Sequence, residues 1–322
     1  MTREEAVRLI ESARGPADLF GAEAARSYRR LARLTHPDTS PAGDRTRAAF
    51  GRLAALWQQH RDGSGSLVAE GDIANLYQDA RGLLKIARDP ADNDLIDREL
   101  AALTQLRARG DARFLPYIPR LAGSERQRDP ATGTVRRASI LGRLEGFVSL
   151  AEVRGAYPGG LDPRDAAWIW RRLLVALGVA HRAGVIHGAV LPPHVMIHPA
   201  DHGLVLIDWC YSACAPGSRI PAVVARYRDW YPPEVLARRA PEPGTDIYLA
   251  TRCMTDVMAR PAPRQLAAFA GGCTLPQPSR RPRDAWRLLG ELDGLLERRY
   301  GPRRFRPFAM PEPVGATPRR AR

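Results

Sequence analysis

Apolar residues recur at helical spacing through the first sixty positions, then give way to short runs with the period of a strand. Over 3–13, Ala6, Val7, Leu9 and Ile10 mark one helix. A second is predicted from about Ala22 to Leu34, with Ala25, Tyr28, Leu31 and Ala32 on one stripe. Its opposite face carries Arg26, Arg29, Arg30 and Arg33. His36-Pro37-Asp38 and the turn-rich Thr39-Ser40-Pro41-Ala42-Gly43 follow. A third helix, about Arg45 to His60, turns Ala49, Phe50, Leu53, Leu56 and Trp57 inward. Helices joined by a tight polar loop bury such stripes against each other.

Asp62-Gly63-Ser64-Gly65-Ser66 opens a flexible linker over 62–70. Strand-like runs then stand at Ser66–Glu70, Ile73–Tyr77 and Leu83–Ile86, before a helix around Asp94–Arg107. Further strands are predicted at Ala138–Leu144, Val195–Ile197 and Val205–Ile207. A long amphipathic helix runs from Pro163 to Ala183 and stops at Gly184, and helical patterns dominate Val235–Arg299. The fold class expected is multidomain, an all-α helical hairpin followed by an α+β two-lobed domain. The Pro/Arg-rich tail 301–322 reads as disordered, and no internal repeat is present.

Composition changes this picture in two places. The net charge is +14, and of the 49 basic residues only Lys85 is lysine; the other 48 are arginine. Arginine is spread from Arg3 to Arg322 without interleaved aromatics, so the charge reads as solvated surface and weighs against a nucleic-acid partner. The four cysteines, Cys210, Cys214, Cys253 and Cys273, lack metal-site spacing and read as buried free thiols. The longest apolar stretch, near Leu173–Ala180, is too short to span a bilayer. The start of the chain leads into an amphipathic helix and not an apolar signal core, so a cytoplasmic protein without a membrane partner is expected.

A basic helix ending at His36-Pro37-Asp38, followed by an apolar helix, resembles the J domain over residues 1–61. The resemblance implies recruitment of a DnaK-type chaperone and stimulation of its ATPase. His36, Pro37 and Asp38 would then contact that chaperone, and the Arg26/Arg29/Arg30/Arg33 face would dock on an acidic surface. Clustered arginines steer association, and a proline turn fixes the presentation of the polar side chains on either side. The plainer alternative is a helical hairpin whose His and Asp only cap and turn. No Gly/Phe-rich region or zinc-binding substrate domain accompanies the motif, so client specificity would come from the rest of the chain.

Residues 71–300 resemble a protein kinase, with an N-lobe over about 71–144 and a C-lobe over about 150–300. Gly71 stands where the Gly-rich loop belongs, Leu83-Leu84-Lys85-Ile86 resembles the strand-three lysine motif, and Glu99 is the natural partner of Lys85. Leu144-Glu145-Gly146 resembles the hinge. Ile186-His187-Gly188-Ala189, with Pro192 and His194, aligns with the catalytic loop, and Ile207-Asp208-Trp209-Cys210 with the metal-binding segment. Tyr231-Pro232-Pro233-Glu234 closes the activation segment, Asp246 follows, and Arg280 or Arg281 is the C-lobe arginine. A sole lysine at the phosphate-binding position, in a chain that uses arginine everywhere else, strengthens the match, because the two are not exchangeable there. A lysine kept only for an ion pair with Glu99 is the other reading.

The resemblance also shows what is missing. Ala189 occupies the position of the catalytic Asp, and a methyl group accepts no proton. His194 takes the place of the metal-binding Asn, Gly188 that of the usual Arg, and Cys210 that of a glycine. Magnesium prefers hard oxygen donors, so imidazole is a poor substitute. A pseudokinase is expected, with a weak site for ATP and Mg²⁺ built from Gly71, Lys85, Glu99 and Asp208, the last as metal ligand. His187 reads as a packing residue, and His198 and His202 as solvated turn residues. The leading function is a co-chaperone whose kinase-like domain binds a client protein, a partner or a nucleotide. The alternative is an atypical phosphotransferase or nucleotidyl transferase linked to a chaperone, slowed but not forbidden by loss of the base.

Overall fold

The structure, a computed structural model, describes residues 1–20, 24–36, 43–61, 67–128 and 133–311. The fold mixes helix and sheet, and the chain divides into two units. The first comprises Met1–Ile96 with Leu121–Arg143, the second Asp97–Arg120 with the chain from Leu144 onward.

The first unit opens with α1 (Arg3–Ser12), α2 (Ala24–Thr35) and α3 (Asp44–Arg61). A capping box starts α1: Thr2 Oγ1 accepts the Glu5 N–H, and the Glu5 carboxylate accepts the Thr2 N–H. Arginines close the carbonyl ends of two of these helices. Arg52 donates to the Ile10 and Ala13 carbonyls after α1, and Arg3 to the Leu34 carbonyl of α2. These bonds satisfy acceptors that a helix end leaves without intrahelical partners. The apolar stripes meet in one core of Ala6, Val7, Ile10, Leu31, Ala49, Leu53 and Leu56, with Leu19 and Phe20 from the connection. Tyr28 stacks on Trp57 at 4.5 Å, and Phe20 meets the same indole edge-on at 5.2 Å. Arg26, Arg29, Arg30 and Arg33 are all exposed on α2.

An antiparallel sheet completes this unit, in the order β1-β2-β3-β5-β4. Its strands are β1 (Leu67–Glu70), β2 (Ala74–Asp79), β3 (Gly82–Ala87), β4 (Leu121–Arg128) and β5 (Val135–Leu141). The first three fall on the predicted runs, and β5 begins three residues before the expected Ala138. Strand β4 was not expected. Its sequence, Leu-Ala-Gly-Ser-Glu-Arg-Gln-Arg, is polar because it forms the sheet edge and alternates only between half-buried and exposed positions. Residues 62–66 of the expected linker lie outside the described residues, whereas 67–70 form β1.

Helix α4 (Asn93–Arg109) follows β3; Asn93 at its start exchanges hydrogen bonds with the backbone of Val135 and Arg137. The second unit is built around α6 (Pro163–Arg182), started by Asp162 as N-cap with Pro163 in the first turn. Twelve of its residues are buried, including Trp168, Ile169, Trp170, Leu173 and Leu177. It packs against α8 (Pro243–Val257) and α10 (Ala285–Tyr300). Around it stand α5 (Leu150–Ala156), α7 (Pro233–Leu236), α9 (Arg264–Cys273) and a three-stranded antiparallel sheet. The strands of that sheet are β6 (Val148–Ser149), β7 (Val195–His198) and β8 (Gly203–Leu206). No described helix is long and apolar enough to cross a membrane.

Two expectations are corrected in this unit. Residues 301–311 of the tail are not disordered: without forming a helix or strand, they pack against Tyr157, which follows α5, and against α6. Phe308 is buried and stacks on Tyr157, Arg306 pairs with Asp165, and the Tyr157 hydroxyl donates to the Ala309 carbonyl. His202 is not solvated. The tail lays Phe305 over one face of its ring while Trp168 covers the other, so only 7% of the residue is exposed. Residues 312–322 lie outside the described residues.

Leu53 is fully buried at the centre of the helical core. Leu53→Ala is expected to destabilise α1–α3 by about 2–5 kcal/mol. Hydrogen exchange resolved by peptide should show protection falling in 3–61 while peptides of α6 keep theirs.

Candidate functional site

The second unit gathers histidines and carboxylates around the segment Ile186–His194, which enters from α6 and leaves into β7. Its anchor is Asp246 in the first turn of α8, fully buried. Oδ2 accepts the His187 N–H at 2.8 Å and Oδ1 the Gly188 N–H at 2.9 Å. His181 Nε2 lies 3.0 Å from the same Oδ2. Three donors thus converge on one buried carboxylate, the condition under which burying that charge is tolerable.

Presenting two successive N–H groups to the two oxygens turns the backbone at Gly188 to φ +79°. A Cβ there would stand 2.6 Å from the Tyr211 carbonyl oxygen, so glycine is required twice over.

The anchored segment fixes two imidazoles. His187 is fully buried, with Nε2 2.9 Å from the Ile207 carbonyl and Nδ1 accepting the Ala189 N–H at 3.2 Å. One nitrogen must donate and the other accept, which assigns the neutral ring. Burial, ahead of any neighbouring charge, pushes the His187 pKa down to about 4. Trp209 packs edge-on against the ring at 4.6 Å. His187 therefore braces the segment against the end of β8, as expected of a packing residue.

His194 is different. Its Nδ1 lies 2.8 Å from the Ala189 carbonyl and its Nε2 3.1 Å from Asp208 Oδ2. Both ring nitrogens are thus engaged, each by an oxygen atom. Asp208 itself sits in the left-handed region at φ +68°, and its Oδ1 receives the Cys210 thiol at 3.0 Å. Ala189, between the two histidines, is fully buried. The segment 186–194 contains no carboxylate, and the nitrogens of both its imidazoles are already engaged. Nothing in it is available to take a proton from an incoming hydroxyl.

Glu99, Asp208 and Cys210 bring one ligand atom each within 4.8 Å of one another. The donor set is two carboxylates and a sulfur, with His194 already on Asp208. It does not fit magnesium, which wants oxygen ligands in octahedral geometry and has no use for a thiol.

The remaining expected site residues fall as follows. Gly71 closes the tight turn between β1 and β2, donating to the Ala74 carbonyl, and a Cβ would meet that oxygen at 2.8 Å. Lys85 is buried on β3, paired in the ladder with Leu76 and Ser139. Glu99 is fully buried on α4. His36 is half-buried at the end of α2, its ring edge-on to Phe50 at 5.0 Å. Pro37 and Asp38 lie outside the described residues.

Of the two C-lobe arginines considered, Arg281 is the structural one. It forms a two-pronged pair with Glu234 at 2.6 and 3.1 Å, both side chains buried. Thr245 and the Leu275 and Pro276 carbonyls fill the remaining positions around the pair, and Tyr248 covers the guanidinium at 4.7 Å. Arg280 is exposed. Cys253 and Cys273 are buried free thiols whose pKa values burial pushes up, to about 11 for Cys273. Cys214 is only half-buried.

No protein-family model matches the sequence, and no curated protein matches it.

Two outcomes are expected from this geometry. Arg281→Met leaves the Glu234 carboxylate buried without its partner and should cost about 3–5 kcal/mol. A change in thermal stability corresponding to less than 1 kcal/mol would contradict the role given to the pair. The second concerns pH. His187 is neutral when folded down to about pH 4, whereas the unfolded ring takes up a proton near 6.5. Between those values the unfolded state binds more protons, so stability falls as pH is lowered through the window, by about 3 kcal/mol in full. His187→Gln should flatten that slope, measured by denaturant unfolding between pH 7 and pH 4.5.

Proposed function

We propose that the chain is a co-chaperone: residues 1–61 act as a J domain toward a DnaK-type chaperone, and a catalytically silent kinase-like region carries the client or partner. The observation that carries this reading is the exposed four-arginine face of α2, on a small helical core of its own, running down to His36. Such a face attracts and orients an acidic partner, and its effect is on association rate as much as on affinity. The tight packing of Tyr28, Trp57 and the aliphatic core behind α2 holds that face rigid.

The silent half of the reading is supported by the chemistry of the segment 186–194. Where a kinase has its base there is the buried methyl of Ala189, and where it has a metal-binding amide there is His194, engaged on Asp208. The imidazole of His194, 3.1 Å from Asp208 Oδ2, occupies the carboxylate that a metal ion would otherwise use. The buried Asp246 and the Glu234–Arg281 pair support a kinase-like frame without its chemistry.

A second reading, an atypical phosphotransferase or nucleotidyl transferase using ATP, keeps one specific support. The sole lysine of the chain is buried on β3, and Glu99 and Asp208 are retained. It would require His194 to give up Asp208 to a metal. Transfer of labelled phosphate or AMP that disappears in Asp208→Ala would favour it.

The co-chaperone reading is tested by single-turnover ATP hydrolysis of a DnaK-type chaperone with the full chain added. Stimulation by the wild type and its loss in His36→Gln are expected. Neutralising Arg26, Arg29, Arg30 and Arg33 to Gln should weaken stimulation and reduce its dependence on salt. Full stimulation by His36→Gln would sink the assignment.

A further inference from the structure

The tail that covers His202 also encloses a cavity of about 590 Å³ between α6, the end of α10 and residues 301–306. This volume lies within the range of small-molecule sites. Six arginines line it, against a single aspartate, Asp201. Three of the six have carboxylate partners outside the lining: Arg164 pairs with Asp162, Arg171 with Asp293, and Arg306 with Asp165. The other three do not. Arg172 donates only to the Tyr117 hydroxyl, and Arg303 and Arg304 make no hydrogen bond or ion pair among the described residues. Asp201 is turned to His198, 3.2 Å away. The cavity is therefore walled by an excess of positive charge that the protein itself leaves uncompensated.

Its other wall is a pile of rings. Trp168 and His202 stack at 4.1 Å with an interplanar angle of 6°, and Phe305 follows on His202 at 4.4 Å and 30°. Phe305 is 66% exposed, although it is held in place from below. Two polar atoms within this pile, Trp168 Nε1 and His202 Nε2, are buried without a hydrogen-bond partner, in residues 94% and 93% buried. Native proteins leave few such atoms, and here both lie inside the ring pile that forms this wall of the cavity. Burial, the largest cause, pushes the His202 pKa down; a hydrogen bond to the Arg306 backbone and the charge of Asp165 act against it, and the charges of Arg172 and Arg303 with it.

We propose that this cavity is a binding site for a nucleotide-class ligand, a planar ring bearing two or more phosphates. The ring stacks on Phe305 at the open end of the pile. The phosphates take the guanidinium groups of Arg172, Arg303 and Arg304, whose planar donors match phosphate oxygens. An acidic peptide is the weaker fit, because the arginines and the ring pile meet within one partly open cavity of about 590 Å³, a small-molecule volume. The 312–322 segment is a poor candidate occupant, since its side chains carry three arginines, Arg319, Arg320 and Arg322, against the single Glu312. The site belongs wholly to the second unit and does not use Lys85 or Asp208, so it stands apart from the kinase-like reading.

Calorimetric titration of the full chain tests it, in the presence of a chelator, with ATP, tripolyphosphate and adenosine as probes. ATP should bind most tightly, tripolyphosphate more weakly and adenosine weakest. Arg303→Gln with Arg304→Gln, two exposed positions whose change should leave the fold intact, should weaken ATP and tripolyphosphate by about tenfold or more. Phe305→Ala should weaken ATP and leave tripolyphosphate unchanged. Wild-type affinity for ATP in the double arginine variant, or no ATP binding to the wild type, would overturn the proposal. Equal affinity for ATP and tripolyphosphate, indifferent to Phe305→Ala, would overturn the ring-bearing class of ligand.

Discussion

The buried carboxylate of Asp246 is the constraint on which the rest of the second unit's site depends. A charge with no access to water must be met by donors, and here it is met by two successive backbone N–H groups and a histidine. That requirement bends the chain at Gly188 and sets the carbonyl of Ala189. This carbonyl takes one nitrogen of His194, so the other nitrogen is aimed at Asp208. His187 is fixed by the same bend, with its ring between the Ala189 N–H and the Ile207 carbonyl. One anchored turn thus determines the tautomer of one imidazole and the charge partner of another.

The polar groups of this turn are held by one another. Every nitrogen of both imidazoles is spent on structure, and the residue between them ends in a methyl group. Low local dielectric strengthens such a network, and here the Asp246 carboxylate and both rings of the segment, His187 and His194, have partners at each polar atom.

Much of this was legible in the sequence, for identifiable reasons. The stripes Ala6/Val7/Ile10, Ala25/Tyr28/Leu31 and Ala49/Leu53/Leu56 carry the helical period strongly, and the helices lie within two residues of where those stripes predict them. Asp208, His194 and Ala189 stood out because they fall in one ordered set of short motifs. What escaped was whatever depended on partners far along the chain. Strand β4 has no apolar alternation to announce it, since an edge strand with two half-wet faces needs none. His202 looked solvated within a polar turn, because nothing near it in sequence reveals that Phe305, about a hundred residues on, closes over its ring. The tail was misread for the same reason: its prolines and arginines spoke for disorder, and the signal against it was the pair Phe305 and Phe308. Sequence also left Arg280 and Arg281 equivalent, a choice that only burial against Glu234 could make.

The central proposal is that His194, 3.1 Å from Asp208 Oδ2, holds that carboxylate in place of a metal ion, so that any binding of ATP there would gain nothing from magnesium. The most direct measurement is thermal unfolding of the Arg303→Gln/Arg304→Gln chain, which lacks the anion site of the tail, with ATP in excess magnesium and with ATP in excess chelator. A ligand that binds only the folded state raises the midpoint according to its affinity, so any contribution of the metal to binding reads out as a difference between the two. The account expects the same midpoint in both. A midpoint raised by magnesium, and no longer raised in Asp208→Ala, would contradict it.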